Sequence, residues 1–299
     1  MPRALILGGT GLIGRAAARR LRASGWTVDA PGREVNREDP RALARALGDG
    51  ADLLVDCLCY TAAHARTLLP LARNATSTVM ISAKAVYVDD EGRHVNSAEP
   101  PRFAGPVTED QPTMAPGDMD YQTREGYGAN KVAAEHTVLD SGLPITVLRP
   151  SKVHGVGNKR PLEKYFVERV LARHPVVLLA SRGEGVDHPT AAANIAALIE
   201  TVAARPGQRV LNAADPDAPN GLEISRIIAR HFGHDWREIL LDHDKLGRHP
   251  WHRGFVLDTS AATALGYRPA GDYATTVAET LDRLGTELRA VRGRIGRCE

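Results

Sequence analysis

The chain opens on the apolar run Ala4-Leu5-Ile6-Leu7 and passes at once into Gly8-Gly9-Thr10-Gly11-Leu12-Ile13-Gly14. A short strand closed by glycines and followed directly by a helix leaves few folds open to it. The glycines at 8, 11 and 14 meet three different demands. A tight turn after a strand needs a residue without Cβ. A diphosphate approaching the backbone needs a second, and close packing of helix on sheet needs a third. The helical pattern from Leu12 to Ala23 spaces Ile13, Ala17 and Leu21 four apart, so one face is apolar. Its free N–H groups and positive dipole end face back towards the turn. The pattern predicts a dinucleotide resting on Gly8, Thr10, Gly11, Leu12, Ile13 and Gly14.

The same beat continues for half the chain. Strands are predicted at Trp26 to Ala30, Leu53 to Leu58, Thr78 to Ser82 and Pro144 to Leu148; helices at Pro40 to Leu47, Ala62 to Ala72 and Gly126 to Leu139. Strands alternating with helices need crossover connections, hence a parallel sheet. Their continuous apolar character means that both faces are covered. The fold class expected is α/β, a Rossmann-type doubly wound parallel sheet with a small C-terminal α/β substrate lobe. The nucleotide domain is placed at 1–153 plus about 185–214, and the lobe at about 154–184 and 215–299. In the lobe, helices are expected near Leu162 to Ala172, Leu222 to Phe232 and Tyr273 to Arg289, and Ala191 to Ala203 forms another helix. Between Tyr87 and Tyr121 the pattern breaks into an excursion carrying Pro100, Pro101, Pro106, Pro112 and Pro116; long loops of this kind are usually functional.

Composition narrows the function. Lys and Arg number 38 against 36 Asp and Glu, and aromatics are 5% of 299 residues. So small a charge excess and so few stacking rings speak against a nucleic-acid partner. Cys57, Cys59 and Cys298 form no CxxC pair, which fits a reducing compartment. No segment approaches the length of a membrane span, so the expected location is the cytoplasm. His243, His249 and His252 cluster loosely, but Pro250 interrupts them; no metal is expected.

The second strand ends at Ala30-Pro31-Gly32-Arg33. A site for NAD normally places an acid there for the ribose hydroxyls. Glycine and Arg33 stand there instead, with Arg15 and Arg37 near by, and a guanidinium forks onto a 2′-phosphate. NADP is therefore the expected cofactor, with NAD as the alternative; strand alternation turns Asp29 away. Further on, Tyr127-Gly128-Ala129-Asn130-Lys131 opens a helix, and positions four apart share a face. The Lys131 ammonium is expected to lower the Tyr127 pKa, so that the phenol can exchange the proton that accompanies hydride transfer.

Together with Ile81-Ser82-Ala83-Lys84-Ala85-Val86-Tyr87, Thr108-Glu109, Leu148-Arg149-Pro150, Asn212 and Asp258, these motifs resemble the extended branch of the short-chain dehydrogenase/reductase superfamily, the NAD-dependent epimerase/dehydratase family, over roughly residues 3–285. The resemblance implies a site in the cleft between nucleotide domain and lobe. It makes Tyr127 the acid/base and Lys131 its partner and a holder of the nicotinamide ribose. Cys57, Leu58, Tyr60, Pro150 and Val153 would lie along the cofactor, and Tyr87, Lys152 and His154 near the substrate. Two departures stand out. The family usually has Ser or Thr where this chain has Ala83, which leaves Ser82 as the available hydroxyl. Lys84 replaces an acid kept by some dehydratases, which argues against dehydration and suits an anchor for an anionic substrate. The expected function is an NADP-dependent reductase of a small carbonyl compound. The alternatives are a nucleotide-sugar epimerase and a non-catalytic dinucleotide-binding regulator. A homodimer through the tyrosine helix is expected by analogy alone.

Overall fold

The computed structural model describes residues 1–242, 251 and 254–295, with side chains to 291. Its strands are β1 (Arg3–Leu7), β2 (Thr27–Asp29), β3 (Ala51–Asp56), β4 (Ala75–Ile81), β5 (Ile145–Pro150), β6 (Lys152–His154), β7 (Val176–Leu179), β8 (Pro189–Ala191), β9 (Arg209–Ala213) and β10 (Arg237–Leu240). Its α-helices are α1 (Leu12–Ala23), α2 (Pro40–Leu47), α3 (Ala62–Ala72), α4 (Arg124–Leu139), α5 (Lys164–Leu171), α6 (Ala192–Ala203), α7 (Gly221–His231), α8 (Ser260–Ala264) and α9 (Tyr273–Ile295). None of the described helices is long and apolar enough to cross a membrane.

The chain divides into two compact units. The first comprises residues 1–151, 192–214 and 257–270. Its sheet has the order β2-β1-β3-β4-β5-β9, and every pairing is parallel. Leu5, Leu7, Leu54, Met80, Ile145 and Val147 pack with Leu43, Leu47, Leu68, Leu71 and Val138 from α2, α3 and α4. Helices α1 and α6 pack together and touch β1, β4 and β9. Covered on both sides, β5 is buried at all six positions, as continuous apolar runs require. The winding reverses at β1: the chain first steps to β2, then returns to pair β3 on the other side. In a doubly wound sheet, the carboxyl ends of the strands flanking that reversal form the ligand crevice. The ends in question are the glycine turn after β1 and residues 57–60 after β3.

The excursion between Tyr87 and Tyr121 is packed. Met114 N donates to Val86 O at 2.9 Å, and Tyr87 bridges to Thr113. The Asp89 carboxylate accepts the amides of Glu91, Arg93 and Arg102.

The second unit comprises residues 152–191, 215–256 and 271–299. It holds two small parallel ladders, β6 with β8 and β7 with β10. Its core joins Phe166, Val170, Ile224, Ile228, Trp251, Tyr273, Val277 and Leu281 from α5, α7, α9 and residue 251. Two segments differ from the sequence-based division. Residues 257–270, assigned there to the lobe, contact the first unit: Leu257 bridges to Val107, and Ala270 N donates to Asn194 Oδ1 at 2.7 Å. Residues 185–191 fall in the second unit because β8 pairs with β6.

Candidate active site

The glycine turn is built by close contact. Gly8 has φ +84°, where side chains are strained, and a Cβ there would stand 3.0 Å from Leu58 Cγ and 3.3 Å from Cys57 Cβ, just beyond the end of β3. A Cβ on Gly14 would stand 2.3 Å from Gly8 O, so only glycine lets α1 reach the turn. Thr10 and Gly11 are exposed, Leu12 and Ile13 half-buried. Helices α2, α3 and α4 each begin with a side-chain cap, from Asp39, Thr61 and Thr123. Helix α1 begins at Gly11 with no side-chain cap and no acid in its first turn. Its first N–H groups are left for an anion, and the cradle fits the diphosphate of a dinucleotide.

The loop after β2 carries both signs of charge. Asp29 is tied to Arg3 at 2.8 Å. Arg33 is exposed. Arg37, counted with it in the sequence analysis, is buried instead. It bonds Asp56 Oδ2 at 2.6 Å and His64 O at 2.7 Å, so it is not a phosphate ligand. Glu34, which the sequence analysis missed, accepts the Gly32 amide at 2.6 Å close to Thr10. Backbone N–H groups hold its carboxyl below the usual range.

Thr123 caps α4 and so sets the phase of the tyrosine helix. Lys131 is fully buried, and its ammonium donates to Cys59 O at 2.7 Å and Ile81 O at 2.8 Å, at the ends of β3 and β4. An ammonium has three protons, so one remains for a ligand. Lys131 Nζ lies 4.4 Å from the Tyr60 ring centre and 5.9 Å from that of Tyr127. Tyr60 stacks on Tyr121 at 5.1 Å and stands 6.5 Å from the Tyr127 ring. Tyr121 comes from the excursion and carries no periodic signal that could have marked it.

The expected lowering of the Tyr127 pKa is corrected. Burial, and then the neighbouring Tyr60, push it up to about 12, because the ammonium points into two carbonyls rather than at the phenol. Burial also lowers Lys131 below the usual lysine range. Cys57 and Cys59 are pushed up to about 12, first by burial and then by Asp56, so both stay protonated at neutral pH.

Ser82 is corrected as well. Its hydroxyl donates to Glu135 Oε1 in the interior. Glu135 also receives Arg149 Nη2 at 2.6 Å. The Arg149 guanidinium covers the Tyr87 ring at 4.8 Å, and the Tyr87 hydroxyl donates to Asn212 Oδ1 at 2.6 Å. Asn212 in turn donates its backbone N–H to Glu109 Oε1 at 2.6 Å and its Nδ2 to Val107 O at 2.9 Å and Asp258 O at 3.0 Å. Tyr87 is fully buried, so the expectation that it meets substrate is withdrawn. The motifs that carried the resemblance are largely one buried polar network.

Lys84 is buried in the short turn Lys84–Val86, which packs on α4. Pro150 is buried at the end of β5. The remaining three expected residues belong to the second unit. Val153 is half-buried, and Lys152 is exposed beside Asp187 at 3.8 Å. His154 is buried, with Nε2 2.8 Å from Asp215 Oδ2 and its ring edge-on to Tyr273. That pairing makes His154 an internal group of its unit, not an exposed substrate contact. His243, His249, His252 and Cys298 lie outside the described residues.

The sequence profile of the NAD dependent epimerase/dehydratase family matches residues 4–186. A comparison with curated protein sequences finds no match. Among solved structures, the chain is similar to UDP-N-acetylglucosamine 4-epimerase from Bacillus cereus, with a TM-score of 0.74 and 18% identity over 95% of this chain and 99% of that one. It is similar to RMD from Pseudomonas aeruginosa complexed with NADPH, with a TM-score of 0.72 and 16% identity over 96% and 100%. It is also similar to UDP-glucose 4-epimerase from Thermus thermophilus in complex with NAD, with a TM-score of 0.67 and 19% identity over 94% and 98%. At such identities the solved structures support the fold, and the profile match, covering well over half of the chain, supports the lineage. The chain belongs to the NAD dependent epimerase/dehydratase family, whose members are nicotinamide-dinucleotide-dependent oxidoreductases and epimerases.

Proposed function

We propose that the protein is an NADP(H)-dependent reductase of a small carbonyl compound. The observation that carries this reading is the buried Lys131 ammonium between the rings of Tyr60 and Tyr127, joined through Cys59 and Leu58 to the glycine turn. A reduced dinucleotide whose diphosphate rests on that turn would supply a hydride from its nicotinamide. Tyr127 holds the proton that the carbonyl oxygen takes as the hydride reaches the carbon, and solvent reprotonates the phenolate that is left. With its pKa at about 12, Tyr127 is a phenol throughout neutral pH, the form a proton donor needs. Lys131 keeps one N–H for a ribose hydroxyl.

Arg33 is read as the partner of a 2′-phosphate, because the Glu34 carboxylate is already held by the loop's own amide. The test is a panel of aldehydes, ketones and nucleotide sugars, with release of oxidised cofactor followed alongside NADPH and NADH affinities. Net oxidation of NADPH by a carbonyl is expected, with weaker binding of NADPH but not NADH in Arg33→Ala. Epimerisation of a nucleotide sugar without net cofactor change would overturn the reductase reading. Binding without turnover across the panel would point to a regulator.

A further inference from the structure

A carbonyl receiving hydride gathers negative charge on its oxygen, and a second fixed hydrogen-bond donor beside the proton donor lowers that barrier. The hydroxyl expected for the task, Ser82, is committed to Glu135, and its neighbour is Ala83. We propose that the Tyr60 phenol is this second donor, hydrogen-bonding the substrate carbonyl oxygen while Tyr127 delivers the proton. The proposal rests on the reductase reading above.

Several observations converge on Tyr60. Its ring is the aromatic neighbour of Tyr127, 6.5 Å away and tilted by 53°. The ring is held from several sides: stacked on Tyr121 at 5.1 Å, beside the Lys131 ammonium at 4.4 Å, and pinned through its own amide, which donates to His64 Nδ1 at 3.1 Å. A donor for catalysis has to be fixed in advance, and these contacts fix the ring while using none of its hydroxyl. Among the described residues, that hydroxyl has no hydrogen-bond partner, although the ring is half-buried. Burial raises the Tyr60 pKa as well, so it remains a donor at neutral pH. The proton count is simple. The carbonyl takes a hydride from the reduced nicotinamide and a proton from Tyr127, giving an alcohol and the oxidised ring. Tyr60 keeps its proton throughout.

Tyr60→Phe removes the hydroxyl and keeps the ring, its stacking and its face towards Lys131. The expected result is a kcat lower by about 10²-fold, the usual consequence of losing one such donor, with the NADPH dissociation constant unchanged. A readout independent of turnover is the infrared C=O stretch of the best ketone substrate bound with oxidised cofactor, where no hydride can pass. The stretch should lie below that of the free ketone in the wild type and move back up in Tyr60→Phe. Wild-type kcat and an unshifted stretch in Tyr60→Phe would overturn the inference. If Tyr127→Phe is inactive in the same experiment, the reductase reading stands without it; if Tyr127→Phe also turns over normally, that reading itself falls. Should Tyr60→Phe not fold, Tyr60→Met, which keeps bulk without a hydroxyl, takes its place with the same expectations.

Discussion

Tyr127 holds its proton more tightly than a phenol in water because burial disfavours the phenolate and Tyr60 stands beside it. The acid form is present below a pKa of about 12 and lost above it. Reductive kcat/KM is therefore expected to stay flat through neutral and mildly alkaline pH. Alcohol oxidation, which needs the phenolate, should rise about tenfold per pH unit over the same range. Initial rates in both directions against pH check this; a reductive rate that falls near pH 7 would contradict it. The Glu135–Arg149 pair gives a second test, on stability. Both side chains are buried, and Arg149 Nη2 sits 2.6 Å from Glu135 Oε2. Glu135→Gln leaves that guanidinium uncompensated and is expected to cost about 3–5 kcal/mol in chemical denaturation. Ser82→Ala removes one neutral donor to a carboxylate and should cost about 1–3 kcal/mol while leaving the rate near wild type. A large rate loss in Ser82→Ala would restore it as the carbonyl's donor. These residues also show where sequence reasoning stops. Tyr127 and Lys131 were legible because their relation is local, four positions on one helix. Ser82, Tyr87 and His154 were misread because the partners that claim them, Glu135, Asn212 and Asp215, lie 53, 125 and 61 residues away.

At the scale of elements, α1 and α2 begin and end where periodicity and glycine or proline signals place them, and α3 keeps its expected bounds although Pro70 lies inside it. Helix α4 begins two residues early because Thr123 supplies the cap. The strands β6, β7, β8 and β10 of the second unit were not foreseen. Each has three or four residues and is defined by its ladder partner rather than by its own pattern. The excursion was legible only as a break, since its order comes from the Asp89 carboxylate and the bridge to Thr113. The junction of β1 and α1 carries a sharp prediction. In Gly14→Ala the new methyl would meet Gly8 O at 2.3 Å, so the helix must back away from the turn. The expected outcome is a stability loss of about 1–3 kcal/mol, together with loss of measurable NADPH binding by fluorescence titration. Wild-type affinity in Gly14→Ala would mean that the diphosphate does not rest on this turn.

For the whole molecule, the fold class was readable from the alternation together with the glycine turn, because repeated strand–helix crossovers need a parallel sheet and the turn marks one that holds a dinucleotide. The exact division of the chain was not, since residues 257–270 join the first unit through partners far away in sequence, Val107, Asn194 and Asn212. A ligand that binds only the folded chain stabilises all of it. NADPH at a hundred times its dissociation constant is expected to add about 2.7 kcal/mol and to raise the calorimetric midpoint by a few degrees; the same excess of adenosine should do far less. The account as a whole turns on the phenol and ammonium of α4 serving a nicotinamide held at the amino-terminal turn. Its most direct test is single-turnover reduction in Tyr127→Phe with NADPH affinity measured on the same sample. The predicted result is unchanged affinity and a rate lower by about 10²–10⁴-fold; a wild-type rate in that variant would contradict it.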